Sequence, residues 1–404
     1  MQRVEDKNKK KYGLLGLPLI LFLVFGRNAI PWSILGVESG IILLIAAINI
    51  AVIIANILKS MSKTRDVKFS VKNLLYTFTL LILYTIAFIV SNAGSYSVYK
   101  LQTFLLWVFI PTVAISFMWK NQNSNQCLFS FILVGIFSSI NILLYSSYSF
   151  SNRLVYGNVN PIWIARMLGL SSLICIIKFI INNKSNKIYL LFATVFIVEI
   201  IFTGSRGPLL SMIIAILFYI LSSKQYFSKK IIKLVLMGLL LLIVIISFVP
   251  LDIINARFTN LDLENQSFQA RISFMRLGIE AFADKPLLGQ GLGGYSMYAF
   301  HTDERVYPHN LIVETLSEFG LLGFIMLIIG ACTFVTSLKT IRKSNENYIL
   351  LIFVSIFVYY FTNSMFSGDF TGNIEVFISF AILINIKSKL SSGNTDYSIA
   401  RNEV

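Results

Sequence analysis

The sequence predicts an all-α membrane protein that crosses the bilayer with about twelve helices. Its residues are 56% hydrophobic and only 13% charged, and the mean hydropathy is +0.75, whereas about a quarter of the residues of a soluble domain are charged. Apolar runs recur at the length of about 17–25 residues that crosses the hydrocarbon core as a helix. The sequence lacks the segments of about ten residues with alternating polarity that mark a transmembrane β-barrel.

Twelve apolar segments fit membrane helices, and short polar links join most of them. The first, seventh and last segments are short, so a count of eleven also fits. The predicted helices are 12–26, 34–58, 74–90, 101–119, 127–145, 162–181, 188–203, 207–222, 231–249, 311–337, 348–364 and 373–387. The chain therefore divides into helices one to nine over 1–249, a polar loop with an amphipathic helix over 250–310, helices ten to twelve over 311–387, and a disordered tail over 388–404.

Lysine is distributed unevenly between the links. It is concentrated in the N-terminal segment and in the even-numbered links, whereas the odd-numbered links before the large loop carry single cations: Arg27, Lys100, Arg153 and Arg206. Because cytoplasmic segments carry the excess of Lys and Arg, both termini are predicted to be cytoplasmic. The loop 250–310 then lies outside, and the chain is predicted to be a multi-pass protein of a bacterial plasma (inner) membrane.

The net charge of +15 does not indicate a nucleic-acid partner, because the cations follow the membrane topology. The three cysteines lie in or near predicted helices, far apart in sequence, and are interpreted as apolar helix residues. Asp262 and Glu264 resemble a short acidic metal motif, but only as one weak match. We predict no metal ion and no cofactor.

Arginine dominates the predicted outer side. Its planar fork suits phosphate and carboxylate groups, so the pattern predicts a phosphate-binding outer cavity, with pairing to outer acids or lipid headgroups as the alternative. Arg206 lies in a very short turn between two predicted helices, and Glu199, two turns earlier, is a candidate partner. Arg166 lies one turn inside the sixth helix, where a charge requires a partner or a ligand.

The loop 250–310 is the only long polar stretch between predicted helices, and it contains both histidines, His301 and His309. Residues 267–284 have a helical apolar stripe, with Arg271 and Arg276 on either side. The pattern indicates a helix in the outer interface. That helix either anchors the loop or directs Arg271 at a lipid-linked phosphate.

Three glycines, Gly289, Gly291 and Gly294, match the GxGxxG spacing. A dinucleotide site requires a βαβ unit around this motif, and the loop has no room for one. The spacing instead predicts a tight turn. The turn either brings backbone N–H groups towards an anion or the membrane, or serves as a turn only.

His309 opens the helix that follows the loop, and Asn310, Glu314 and Glu318 share one face of that helix. Acidic residues at a membrane entrance tend to be functional or paired. We therefore consider His309 and Glu318 as candidate catalytic residues, with a structural role as the alternative. Asn310, Glu314, Gly289 and Gly291 are candidates for acceptor contact or structural support.

Three motifs give the chain a resemblance to a known family. They are Ser205–Gly207, the run from Arg271 through 286–289 to 291–293, and 308–310 with 318–320. Over roughly residues 155–385, the chain resembles the O-antigen ligase and O-antigen (Wzy-type) polymerase family of bacterial membrane glycosyltransferases.

This resemblance implies a GT-C-like helical fold and a metal-independent reaction with an undecaprenyl-diphosphate-linked glycan donor. It also implies that Arg206 and Arg271 hold the donor diphosphate and that His309 acts near the acceptor. Leu277 stands about where many members have tryptophan, which leaves the glycan specificity open. Together with the arginine pattern, the candidate diphosphate residues are Arg206, Arg271, Arg276 and Arg166.

The chemistry of such a transfer fits these residues. Diphosphate is a good leaving group, so fixed arginines suffice to stabilise the developing charge, and His309 or Glu318 would act as general base. We predict a polymerase that joins lipid-linked repeat units into O-antigen, capsule or exopolysaccharide. A chain-length regulator and a flippase of the same pathway are candidate partners. The alternatives are a ligase for finished glycan, a lipid-linked oligosaccharide flippase and a non-catalytic scaffold.

Overall fold

The computed structural model describes residues 17–28, 54, 70–118, 124–148, 153–181, 187–223, 261–343 and 348–391. Most of the predicted helix 34–58, the whole of 231–249, Arg257 and the tail beyond residue 391 lie outside the described residues. The side chains of Asp262 and Glu264 lie outside them as well.

The described chain is mostly helical, as the sequence predicts. In chain order the helices are α1 Leu17–Phe25, α2 Val71–Val90, α3 Ser95–Phe104, α4 Ile110–Met118, α5 Ser124–Tyr145, α6 Pro161–Ile181, α7 Lys187–Phe202, α8 Arg206–Ser222, α9 Leu261–Asp284, α10 Gly294–Phe300, α11 Leu311–Lys343, α12 Tyr348–Ser364 and α13 Ile374–Ser391. Among the described residues, five stretches are long and apolar enough to cross a membrane: Val71–Val90, Ser95–Phe117, Ser124–Tyr145, Pro161–Ile181 and Leu311–Ile341. Helices therefore occupy the described parts of the predicted segments.

Three local features differ from the prediction. In the link after α5, β1 Ser146–Tyr148 pairs antiparallel with β2 Leu154–Tyr156, with Ser146 opposite Tyr156 and Tyr148 opposite Leu154. A five-residue π-helical segment, Leu105–Phe109, joins α3 to α4. Helix α3 begins at Ser95, six residues before the predicted start, so Lys100 lies inside a helix rather than in an outer link.

The core of the bundle is centred on α6, because 89% of its most apolar stretch of 18 residues is buried. It packs against α5, α7 and α8. Small residues permit this approach: a Cβ on Gly135 would lie 2.4 Å from Ser171 Cβ, and one on Gly169 would lie 2.2 Å from the Tyr359 hydroxyl. Helices in membranes commonly associate through such residues.

The described helices meet at two ends. We call one the loop end, formed by residues 26–28, 91–95, 153–160, 203–206, 285–310 and 365–373. Contacts across it include Arg27 to Thr371 O and Tyr156 to Asn28 O. The opposite end holds lysines that begin or end helices: Lys72, Lys178, Lys187, Lys339 and Lys387. These described lysines therefore lie away from the large loop.

Candidate functional site

The glycine turn 285–293 packs against a kink in α11. Gly289 has a φ of 70°, and Gly320, at the kink, has a φ of 59°. A Cβ on Gly289 would lie 2.5 Å from the backbone of Glu318, so only glycine allows this approach. The turn also satisfies backbone groups freed by the kink, because Leu321 N donates to Pro286 O over 2.8 Å.

Two backbone hydrogen bonds bear on the interpretation of the glycine motif. Gly289 N donates to Lys285 O over 2.9 Å, and Gly291 N donates to Glu318 O over 3.2 Å. Because both N–H groups already have carbonyl acceptors, the turn does not present them to an anion. In this arrangement Gly289 and Gly291 support the fold, and the interpretation of the rest of the turn as an anion site stays a prediction.

A buried group of three ionisable side chains joins α3 to α11. Lys100 Nζ lies 2.7 Å from Glu314 Oε1 and 2.7 Å from Glu318 Oε1, and all three side chains are fully buried. Glu314 Oε1 also accepts a hydrogen bond from Phe370 N over 3.2 Å. We call these three residues the buried triad. Glu318 is closed off from any sugar hydroxyl in this structure, because its face of α11 turns inwards to Lys100.

Asp369 is the centre of a second polar cluster, which the sequence analysis did not single out. Its carboxylate accepts hydrogen bonds from Arg305 Nη2 over 2.8 Å and Nε over 3.2 Å, and from Tyr96 Oη over 2.8 Å. Thr371 Oγ1 and Gly372 N donate to it as well. Burial would raise the pKa of Asp369, but Arg305, Lys100 and these hydrogen bonds hold it well below its ordinary value. The carboxylate is therefore ionised.

Residues 301–310, which we call the strap, are fixed at several points. Asp303 accepts hydrogen bonds from the backbone N–H groups of Gly94, Ser95 and Tyr96 at the start of α3. Arg305 binds Asp369, as described above. The strap is therefore tied both to α3 and to the turn 365–373.

Asn310 closes the strap and starts α11. Its Oδ1 accepts hydrogen bonds from Ile312 N over 3.0 Å and from Val313 N over 3.1 Å, the arrangement of a helix N-cap. Its Nδ2 donates to Met365 O over 3.4 Å. Of the two roles considered for Asn310, acceptor contact and structural support, these contacts fit structural support.

His309 lies between two aromatic rings. Its imidazole stacks nearly parallel to Phe274 at 5.9 Å and lies 4.5 Å from the Tyr307 ring, measured between ring centroids. Nδ1 is buried and has no hydrogen-bond partner among the described residues. Burial and the nearby charge of Arg271 lower the pKa of His309 to about 4, although Asp369 opposes this. The imidazole is therefore neutral at neutral pH, and the structure brings Arg271 close to it.

The other predicted diphosphate residues occupy different environments. Arg276 lies on the exposed side of α9 and pairs with Glu280 over 2.9 Å, with 81% of its side chain exposed. Arg166 is only 3% exposed. Its guanidinium donates to Gly372 O, Asn373 Oδ1, Asn363 O and Ser367 O over 2.8–3.3 Å. Arg166 therefore holds the turn 365–373, whose carbonyl groups point back at it, rather than facing a diphosphate.

Arg206 is exposed at the first residue of α8. Arg153 fixes the turn before it, because its guanidinium donates to Thr203 O and Ser205 Oγ, each over 2.9 Å. Glu199, considered as a partner of Arg206, accepts a hydrogen bond from Ser139 Oγ over 2.6 Å.

The turn 365–373 brings the two predicted site regions together. A Cβ on Gly207 would lie 3.7 Å from Phe366 Cβ, next to Arg206. Met365, one residue earlier, contacts Asn310, next to His309. The start of α8 and the start of α11 therefore adjoin the same turn.

An apolar groove of about 660 Å³ begins beside this site. Its lining runs along α11 from Leu311 to Phe334 and includes side chains of α2, α12 and α13. All of its lining residues are uncharged. Elsewhere in the described part of the chain, no group of three His, Cys, Asp or Glu residues is arranged to hold a metal ion.

The chain was also compared with known proteins. Residues 189–328, about a third of the chain, match the family model described as O-Antigen ligase (Wzy_C). The matched segment contains Arg206, Arg271, His309 and the kink at Gly320, but neither Lys100 nor Asp369. No curated protein matches the chain.

Proposed function

Because the chain belongs to the O-antigen ligase family, we propose that it is a glycosyltransferase that polymerises lipid-linked repeat units into a surface polysaccharide. The donor is an oligosaccharide on undecaprenyl diphosphate, and the reaction takes place at the outer face of a bacterial plasma membrane. The observation that carries the proposal is the position of the half-buried imidazole of His309 beside Arg271, at the start of α11. This position places the proposed base, His309, next to a proposed diphosphate-binding residue, Arg271.

In the proposed reaction, Arg206 and Arg271 bind the donor diphosphate. The bond between the anomeric carbon and the diphosphate oxygen breaks, and its electrons go to the diphosphate, where the arginines stabilise the added charge. The acceptor hydroxyl forms the new glycosidic bond and loses its proton to the imidazole of His309. A bound diphosphate would also offset the charge of Arg271 and so raise the pKa of His309, making it a stronger base once the donor is present.

The apolar groove supports a lipid-linked donor. It begins at Leu311, two residues from His309, and has no charged lining residue. A polyprenyl chain in this groove would place its diphosphate at the loop end. A flippase would instead need cations deep along the path of the diphosphate, and both cations buried in the described membrane helices, Lys100 and Arg166, are bound to other protein groups. The bonds of these two cations to protein groups therefore favour the enzyme.

Polymerase and ligase differ in their acceptor. A polymerase should convert purified lipid-linked repeat units into a ladder of longer chains without any other acceptor. A ligase should form product only when a second class of acceptor is added. A ladder formed from the repeat unit alone supports the proposal, and its absence in an otherwise active preparation contradicts it.

The proposed clamp predicts the effect of two conservative substitutions. Arg206→Lys and Arg271→Lys should each lose most of the turnover while the protein still inserts, because lysine keeps the charge but not the bidentate fork. Arg276→Lys should retain activity, because Arg276 pairs with Glu280 on the exposed side of α9. Polymer formation by the purified variants measures this. Normal turnover in both of the first two variants would exclude the clamp.

The proposed orientation predicts which residues are reachable from outside. Cysteines at Asn158 and Glu304, exposed at the loop end, should react with an impermeant thiol reagent in intact cells. A cysteine at Lys187, at the opposite end, should react only after permeabilisation. The cysteines are introduced into a variant with Cys332 replaced by serine, because the exposed thiol of Cys332 would otherwise react as well. The reverse pattern would place the loop and the proposed reaction in the cytoplasm.

A further inference from the structure

The strap holds His309 in a backbone conformation that few residues adopt. His301 and His309 have φ values of 54° and 59°, and they are the only non-glycine residues with positive φ among the described residues. Such a conformation persists only when the surrounding structure fixes it. The contacts of the strap therefore determine where the imidazole lies.

The imidazole itself is oriented by rings. Nδ1 has no hydrogen-bond partner within the described chain, so no carboxylate orients the ring through it. Phe274 stacks on one side, and the Tyr307 ring lies 4.5 Å away. The position of Tyr307 therefore limits the position of His309.

Tyr307 is in turn linked to the ion pair between Arg305 and Asp369. The Arg305 guanidinium lies 5.9 Å from the centroid of the Tyr307 ring, and two of its nitrogens bind Asp369. Asp369 is fully buried and also held by Tyr96 and Thr371. The strap is thus fixed to a rigid point in the bundle two residues before Tyr307.

We propose that Arg305 and Asp369 are positioning residues, which hold His309 in its reactive place through the ring of Tyr307. This inference rests on the proposed function, in which His309 takes the proton of the acceptor. Neither residue is required to touch the substrate. Arg305 is suitable for a test because 41% of its side chain is exposed, and because Asp369 keeps its hydrogen bonds from Tyr96, Thr371 and Gly372 when Arg305 is replaced.

The test compares substitutions in the strap. Arg305→Met should lower kcat roughly 10- to 100-fold, the order of effect of a catalytic group displaced by about 1 Å. The KM for the lipid-linked donor and the affinity for undecaprenyl diphosphate should not change. Arg305→Lys should recover part of the turnover, because one contact to Asp369 remains possible. Glu304→Gln, one residue away and exposed, is the matched control and should behave as wild type.

Tyr307 provides an independent second test. Tyr307→Phe keeps the ring and should retain turnover, whereas Tyr307→Ala should resemble Arg305→Met. Full turnover in both Arg305→Met and Tyr307→Ala would overturn the positioning role. Loss of undecaprenyl diphosphate binding in Arg305→Met and Arg305→Lys, in proportion to turnover, would also overturn it by placing Arg305 in the donor site.

His309→Ala, assayed in parallel, separates the two proposals. If His309→Ala retains full turnover, the proposed role of His309 fails, and the positioning inference fails with it. If His309→Ala is inactive while Arg305→Met and Tyr307→Ala are fully active, only the positioning inference fails.

Discussion

Replacement of His309 by alanine is expected to lower turnover by roughly 10²–10⁴-fold, the usual contribution of a positioned general base. Donor affinity should remain near that of the wild type, because the proposal assigns donor binding to Arg206 and Arg271. The measurements are product formation from lipid-linked repeat units and binding of undecaprenyl diphosphate to the purified variant. His301→Ala is the matched control, since His301 is exposed and shares the positive φ of His309.

The same prediction has a pH dependence. Only the neutral imidazole accepts a proton, and burial together with Arg271 lowers the pKa of His309 to about 4. The acidic limb of kcat/KM, which reports the free enzyme, should therefore fall near pH 4. In Arg271→Met the positive charge is lost, so the pKa should rise towards its ordinary value of about 6.5.

The two histidines make this pKa measurable by NMR. Protein labelled at histidine Cε1 contains two labelled residues, and His301→Ala identifies the signal of His309. An unchanged midpoint in Arg271→Met would show that Arg271 does not act on the imidazole. Loss of donor binding with normal residual turnover in His309→Ala would place His309 in the diphosphate clamp instead.

Removal of Lys100 should destabilise the protein strongly. Lys100→Met leaves the buried carboxyl groups of Glu314 and Glu318 without their counter-charge, and loss of one partner from a buried ion pair costs about 3–5 kcal/mol. Thermal unfolding of the purified protein in detergent measures the effect. Lys339→Met, an exposed lysine of α11 at the opposite end, should have little effect.

A combined variant tests the cause. Lys100→Met with Glu314→Gln and Glu318→Gln removes all three ionisable groups and should recover much of the lost stability. An unchanged unfolding temperature in Lys100→Met would contradict the contribution of the buried triad. Glu318→Gln alone should retain turnover, because Glu318 is closed off in the structure. A large loss of turnover at unchanged stability would instead make Glu318 the base.

The sequence predicts the helices well because their signal is local. Apolar runs of membrane length give their positions, and the observed bounds differ by only a few residues, except at the start of α3 and the end of α11, each of which extends six residues beyond the prediction. The early start of α3 is not predicted because its first turns are polar. Lys100 is stable inside this helix because the acidic residues Glu314 and Glu318 of α11 bind it. Glu314 and Glu318 are more than two hundred positions away from Lys100 in the sequence, so no pattern near Lys100 indicates the pairing.

The site was predictable where residue type and position were both unusual. Arg271 and His309 were identified because the loop is the only long polar stretch, and the structure brings them together. Arg166 and Glu318 could not be assigned in the same way, since a charge in a membrane helix indicates a partner or a ligand without distinguishing them. Asp369 was missed because a single acid in a short turn carries no pattern. A signal is nevertheless present: an isolated acid between two apolar segments requires a cation, and Arg305 lies in the loop predicted to be on the same side of the membrane.

The turn 365–373 also determines when the protein becomes functional during its synthesis. The turn accepts hydrogen bonds from four side chains that precede it in the sequence: Arg27, Tyr96, Arg166 and Arg305. Among the described helices, only α13 is translated after this turn. Most of the bundle is therefore synthesised before Asp369, which holds the strap through Arg305, is present. Until residue 373 has emerged and folded back, a growing chain contains every proposed catalytic side chain but has no assembled site.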